Sequence, residues 1–390
     1  MRRFSRPCIG VVLCSLAFSS PALGDYQARI LYPMISPSRS AFSHISGPPQ
    51  TAQAGQVVGY EWVQGGGANP HALVWTPNGA VDLHPTRLAR FVASTAYGTN
   101  GVQQVGEAST SPTYGYHAML WSGTADSAVD LSPPQFPQFT NTYALATDGV
   151  HQVGYGQITG TDVGYRALLW TGTRESAIDL HPAGYTASFA YGTSGNQQVG
   201  YGWTAAGGTF RNFALLWNGT AQSAVDLHPV QMPGILQSMA YATDGTQQAG
   251  AGYGIGPAGN YWHALLWSGT AASAVDLNPT NLAGFTNSYA YGINGGNEAG
   301  YGFGADGVNH ALLWRGTGDS AIDLQALLPP TLISSQAFTI DSSGNVFGIA
   351  SDTSQFTYAV EWSPVPEPSV LWACAVALIA LLGPRARTRA

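Results

Sequence analysis

The sequence predicts an all-β chain folded as a seven-bladed β-propeller of four-stranded blades, closed by its N-terminal strand. Three columns of residues predict it. A Trp ending an apolar run recurs at Trp75, Trp121, Trp170, Trp217, Trp267, Trp314 and Trp362. An Asp stands nine residues after five of these, at Asp130, Asp179, Asp226, Asp276 and Asp323. A Gly closing a second-strand motif recurs at Gly59, Gly106, Gly154, Gly200, Gly250, Gly300 and Gly348. Successive members of each column stand 46 to 50 residues apart, the length of one four-stranded propeller blade.

Each unit justifies its strands in order. An inner strand such as Ser288 to Gly292 leads to an Asn-Gly or Asp-Gly turn, as at Asn294-Gly295 or Asp244-Gly245, which supplies the positive backbone angles of a tight hairpin. A second strand follows, as at Gln197 to Gly202, then a loop of variable length. The third strand is His263-Ala264-Leu265-Leu266-Trp267, and the turn Ser268-Gly269-Thr270 leads to the outer strand Ser273 to Leu277. The seventh unit stops at Trp362 without an outer strand. Ala28 to Pro33 aligns with Ala224 to Pro229, so the N-terminal strand is expected to complete that blade and remove an open sheet edge. An open solenoid of the same units would not need it.

Composition narrows the chemistry. Of 390 residues only 9% are charged, against 49 Gly and 24 Pro. All 14 basic residues are Arg, so lysine chemistry at phosphates or Schiff bases is absent. Between Asp25 and Glu361 eight Arg face twenty acids, a balance of −12, which disfavours nucleic acid as a partner. The three Cys, Cys8, Cys14 and Cys374, lie outside the repeats. The repeats therefore hold no internal disulfide and no cysteine-ligated metal.

The two ends read as addresses. Residues 1–24 combine Arg2, Arg3 and Arg6, an apolar run from Ile9 to Phe18 and small residues at Ala22 and Gly24, the pattern of a secretory signal peptide. The propeller is expected over 25–362, then a linker, 363–369, carrying Pro366-Glu367-Pro368. An apolar helix follows over 370–383, and its run from Val370 to Leu382 gives about 20 Å of helix at ~1.5 Å per residue, short of a ~30 Å hydrocarbon core. The final segment, 384–390, carries Arg385, Arg387 and Arg389, which favour a cytoplasmic tail and an external propeller.

This tail, Pro366-Glu367-Pro368 followed by a short apolar helix and an Arg-rich end, closely resembles the PEP-CTERM sorting signal of Gram-negative bacteria over about the last 26 residues. The resemblance implies recognition and cleavage by an exosortase, a membrane-embedded cysteine protease, and release to the cell surface or exopolysaccharide matrix. An ordinary single-pass anchor is the alternative. The repeats also resemble extracellular HAF repeats through His71-Ala72-Leu73, His117-Ala118-Met119, His263-Ala264-Leu265 and His310-Ala311-Leu312, with Arg166, Phe213 and Tyr358 replacing the His in three units. That family implies export and repetition, and no reaction.

Residues that recur in every blade are expected to serve the blade. On that ground Trp121, Trp170, Trp217, Trp267 and Trp314 are core, and Asp130, Asp179, Asp226, Asp276 and Asp323 bond backbone donors at blade corners. The candidate ligand contacts are aromatics in or beside the variable loops, Trp62, Trp203, Trp262, Tyr253 and Tyr261, whose rings suit sugar faces or protein anchors. No catalytic motif, metal-ligand set or cofactor motif is present in the sequence. The expectation is an exported structural or binding protein in contact with exopolysaccharide, and not an enzyme. The alternative is a secreted propeller glycosidase or lyase with a site in the central funnel.

Overall fold

The computed structural model describes residues 26–32, 40–41, 52–53, 55–62, 69–76, 78–111, 114–159, 164–205, 210–257, 259–354 and 356–365. The expected signal peptide, the Pro366-Glu367-Pro368 motif, the apolar helix and the Arg-rich tail lie outside these residues. Among the described residues no helix is long and apolar enough to cross a membrane.

The strands form seven separate antiparallel sheets in sequence order. Blade 4 is representative, with an inner strand Ala187–Ser194, a second Gln197–Thr204, a third Arg211–Trp217 and a two-residue outer strand Val225–Asp226. Blades 2, 3, 5 and 6 repeat this order, beginning at Ala93, Phe139, Ile235 and Asn287. Blade 7 is Leu332–Ile340, Val346–Asp352 and Thr357–Pro364, and its fourth strand is Tyr26–Tyr32. Ile30 pairs with Val360 where blade 4 pairs Asp226 with Leu215, so the N-terminal strand occupies the outer-strand register that the repeat alignment predicts.

Blade 1 departs from the pattern. Its inner strand comes in two pieces, Ser40–Ala41 and Ala52–Gln53, and both pair with the second strand Gln56–Trp62. The sequence reading does not anticipate this split: ten residues separate Ala41 from Ala52, where three separate the equivalent Phe189 and Thr193 of blade 4.

A bulge explains the glycine column. In blade 4 the pairing steps from Ala190 opposite Gly200 to Gly192 opposite Val199, leaving Tyr191 unpaired. The same step leaves Tyr97, Leu145, Tyr241, Tyr291 and Phe338 unpaired in blades 2, 3, 5, 6 and 7. A bulge bends its strand and sharpens the twist. Here the inner backbone comes so close that a Cβ on Gly200 would collide with the Phe189 carbonyl, and Gly106, Gly154, Gly250, Gly300 and Gly348 meet the same obstacle.

The core lies between blades. Val199, Ala214, Leu216 and Leu227 of blade 4 pack on Ala240, Leu265 and Trp267 of blade 5, and equivalent clusters join the other described neighbours. Trp121, Trp170, Trp217, Trp267 and Trp314 are completely buried, yet their indole N–H groups find no acceptor. Volume rather than hydrogen bonding holds them. Trp362 differs, donating to the Leu324 carbonyl at 3.0 Å.

Polar staples fix each corner. Ser223 Oγ accepts from the Asn218 N–H and donates to the Thr220 carbonyl, closing a turn in which Gly219 takes a φ of 79°. Between blades, the Ala214 N–H of blade 4 donates to Ser238 Oγ of blade 5 at 3.0 Å, and Ser94, Thr142, Ser188, Ser288 and Ser335 receive the equivalent bond.

Candidate functional site

The repeated polar residues come first, because their geometry assigns them to the scaffold. His71, His263 and His310 place Nδ1 2.8, 2.7 and 2.8 Å from Asp82, Asp276 and Asp323, and His117 lies 3.1 Å from Asp130. Arg166 takes the same place beside Asp179 at 2.9 Å. In blade 4 the hydroxyl of Tyr185, ahead of its inner strand, donates to Asp226 at 3.3 Å. Each Asp also accepts a backbone N–H two residues on, as Asp226 does from His228 at 2.8 Å. Burial opposes ionisation of Asp130, but bonds from His117 and the Ser132 N–H, with Arg90 nearby, lower its pKa below the usual carboxylate value.

Ser–His pairs recur as well. His84, His181 and His228 lie 3.0, 2.9 and 3.0 Å from Ser94, Ser188 and Ser238. These hydroxyls are buried and already accept a backbone N–H from the preceding blade. They cannot meet a substrate as nucleophiles.

The second arrangement is aromatic. Inner and second strands place pairs of rings on one face of their blades, Tyr143 opposite Tyr155, Phe189 opposite Tyr201 and Tyr289 opposite Tyr301. These rings and the bulge residues form a continuous network. Centroids are 5.7 Å apart for Tyr116–Tyr143, 4.7 Å for Tyr143–Tyr155 and 5.1 Å for Tyr155–Phe189. The chain of contacts continues through Tyr201 and Tyr191 to Tyr241, Tyr291 and Phe338. It therefore runs from blade 2 to blade 7. Burial, reinforced by neighbouring phenols, raises the Tyr191, Tyr241 and Tyr291 pKa values well above the ordinary value, so these hydroxyls stay neutral.

The sequence candidates fall on this frame unequally. Trp203, Tyr253 and Phe303 stand three residues after Gly200, Gly250 and Gly300, one register position in three consecutive blades. Trp203 meets Phe210 edge-on at 5.0 Å. Tyr253 lies 5.2 Å from Trp262, and Trp262 stacks on Tyr289 at 5.5 Å across the blade boundary. The Trp262 N–H donates to Asn287 Oδ1 at 2.8 Å, tying the same boundary through the backbone. Tyr261 does not join them. Strand alternation turns it to the opposite face, where it lies over Gly254 and 4.3 Å from His263. Trp62 holds the register position of Trp203 by its pairing with Pro70, but its side chain lies outside the described residues.

Glu107 is the residue that sequence reasoning missed. It occupies the position of Tyr155, Tyr201 and Tyr301, directly after the column glycine. The signal was available, since a carboxyl breaks a tyrosine column. Burial pushes its pKa up to about 7, partly offset by a hydrogen bond from Tyr97. Glu298 is a second displaced carboxyl, standing where Gln104, Gln152, Gln198 and Gln248 stand in other blades. Its Oε2 accepts the Gly316 N–H at 2.8 Å, and burial raises it to about 7.

At the hairpin end of the axis lies a cavity of about 410 Å³, lined by residues including Asp148, Asp244, Ser194, Asn294 and Tyr291. Its two carboxylates serve their own turns. Asp148 accepts from the Val150 and His151 N–H groups, and Asp244 from those of Thr246 and Gln247. Among the described residues no group of three or more His, Cys, Asp or Glu is placed to hold a metal ion.

Fold and site together define a seven-bladed β-propeller with an aromatic face. Solved structures agree on the fold. The β-propeller domain of the Trilobed protease from Pyrococcus furiosus, described as having an open velcro topology, is similar with a TM-score of 0.54 and 10% identity, covering 83% of this chain and 94% of that one. A puromycin-hydrolyzing peptidase of Mycobacterium tuberculosis gives a TM-score of 0.50 at 15% identity, over 81% of this chain and 51% of that chain. The polysaccharide lyase Uly1 gives 0.50 at 8% identity, over 84% and 91%. No protein-family model and no curated protein matches the chain. At these identities the likeness shows the fold alone.

Proposed function

We propose that the chain is an exported binding module, sorted through its PEP-CTERM-like tail to the cell surface or extracellular matrix, and that it contacts exopolysaccharide. The observation that carries this reading is the placement of Trp203, Tyr253 and Phe303 at one register position of blades 4, 5 and 6, with Trp262 stacked on Tyr289 beside them. Aromatic faces suit the C–H faces of sugars, and rings already packed on one another lose little entropy on binding. Processing by an exosortase is part of the same proposal, as is tethering to the membrane through the tail before cleavage. The reading assigns no reaction and no cofactor.

The test is retention on the producer's own exopolysaccharide. The wild-type propeller should be retarded in affinity electrophoresis, and a Trp203→Ala/Trp262→Ala double variant should bind at least ~10-fold more weakly, the loss typical of removing interface anchors. Equal retention would remove this face from the proposal. C-terminal peptide mass mapping tests the sorting. Finding Arg389 still attached at steady state in a cell that has the protease would sink it.

A further inference from the structure

We propose that Glu107, with Tyr116, Tyr143 and Tyr155, forms a binding site for an organic ammonium group between blades 2 and 3. The site is distinct from the aromatic rim of blades 4 to 6 and does not depend on the reading above.

Four observations converge on it. Glu107 is 8% exposed, and its Oε2 is buried without any hydrogen-bond partner. Asp130 has Arg90 and His117 beside it and Glu361 has Arg29, whereas Glu298, also buried with one unpaired oxygen, has only the Gly316 N–H on the other. The groups acting on Glu107 are burial and the Tyr97 phenol, with no cation among them. Phenols surround it from four strands, Tyr97 of the inner strand and Tyr116 of the third in blade 2, and Tyr143 and Tyr155 of blade 3, all four feeling its charge.

The chemistry of that set selects its ligand. A carboxylate buried without compensation is costly, and the repeat offers a cheaper residue, since blades 3, 4 and 6 place Tyr there. Three stacked phenol rings, Tyr116 on Tyr143 and Tyr143 on Tyr155, put negative π density beside the one negative charge. Rings with a carboxylate complement an alkylammonium through cation–π and charge attraction together. An anion is repelled, and a neutral sugar, although its hydroxyls donate to Oε2, leaves the buried charge without a counter-charge. Divalent metals want several oxygen or nitrogen ligands, and only one carboxyl is present in this group.

Titration gives the site a signature. With Glu107 ionising at about 7, the charged form falls from roughly nine-tenths of the population at pH 8 to a few hundredths at pH 5.5. The apparent affinity for a permanently charged ligand should fall by roughly 30-fold over the same range.

Tetramethylammonium, whose charge does not titrate, is the probe, read through tyrosine fluorescence and calorimetry on the purified intact chain. Saturable binding is expected at pH 8, about 30-fold weaker at pH 5.5. Glu107→Gln should bind weakly and equally at both values. Glu107→Tyr, which restores the residue of neighbouring blades, should fold and lose binding. Glucosamine near pH 7 should compete and N-acetylglucosamine should not, while choline competing without glucosamine would place the natural ligand among quaternary amines. Equal binding by wild type and Glu107→Gln, no pH dependence, or competition by N-acetylglucosamine as strong as by glucosamine would each overturn the proposal. So would no detectable tetramethylammonium binding at pH 8 by a wild-type chain whose melting curve shows it folded.

Discussion

The outer and inner halves of each blade follow different rules. Third and outer strands repeat closely, with the same Trp, the same Asp and the same Ser turn in blade after blade. Inner and second strands of blades 2 to 7 keep the glycine and the bulge but vary what stands around them, with Thr, Tyr, Phe, Met and Gln at one inner position and Glu, Tyr, Ala and Ile opposite. The outer half must satisfy one recurring packing problem, a Trp from one blade entering a socket of Ala, Leu and Val on the previous one. The inner half meets solvent, loops and the axis, where each blade has different neighbours. Repetition marks the scaffold, and its interruption marks where a blade is free to acquire chemistry.

Four measurements sharpen or break that contrast. The largest effect should come from Trp→Ala in the outer half. Trp170→Ala, Trp217→Ala and Trp267→Ala should each lose about 3–5 kcal/mol in urea unfolding, agreeing with one another within about 1 kcal/mol. A spread as wide as the effect itself would show that the sockets are not equivalent. Next comes Gly200→Ala, where the added methyl meets the Phe189 carbonyl; about 3 kcal/mol should be lost, with a similar loss for Gly154→Ala.

Glu298 supplies a smaller and signed effect. Its carboxyl is raised from 4.5 to about 7 by burial, so the folded state holds the proton more tightly than the unfolded state. The stabilisation is fully present below about pH 4.5 and is lost as pH rises through about 7. Glu298→Gln, which restores the residue of four other blades, should therefore gain up to about 3 kcal/mol at pH 8 and nothing at pH 4. The reciprocal Gln248→Glu should import the same pH dependence into blade 5. Melting temperatures of the two variants from pH 4 to 8 decide it, and parallel curves would refute the assignment. The smallest effect belongs to His263→Ala. Its Asp276 partner is exposed, so the loss should stay below about 1 kcal/mol, read as a shift in urea midpoint.

Much of this was legible in the residues. The Trp, Asp and Gly columns gave the blade count, and the match of Ala28 to Ala224 gave the closing register. The close approach behind the glycine column was not legible, because it arises from the bulge, and a bulge has no residue of its own when Tyr97, Leu145 and Phe338 can all fill it. For the candidate site, Trp203, Tyr253 and Trp262 fell on one face, while Tyr261 did not. Simple alternation separates Tyr261 from Trp262, and grouping residues by loop rather than by strand face hid it. Glu107 interrupts its column once, so it leaves no mark in a pattern built from residues that persist. The split inner strand of blade 1 left no periodic trace, since an insertion disturbs spacing only once.

Closure by the N-terminal strand also sets how the ring bears load. Tyr26 pairs with Pro364 at the entry to the closing strand, so a pull applied between those two residues opens the ladder one rung at a time, as a zipper opens, instead of loading all its rungs at once in shear. A pull applied to either residue alone, with the other end unattached, passes none of its tension around the blades. A propeller tethered on one side can thus sway on its leash with its architecture unstressed, and two tethers pulling apart would make blade 7 the fuse.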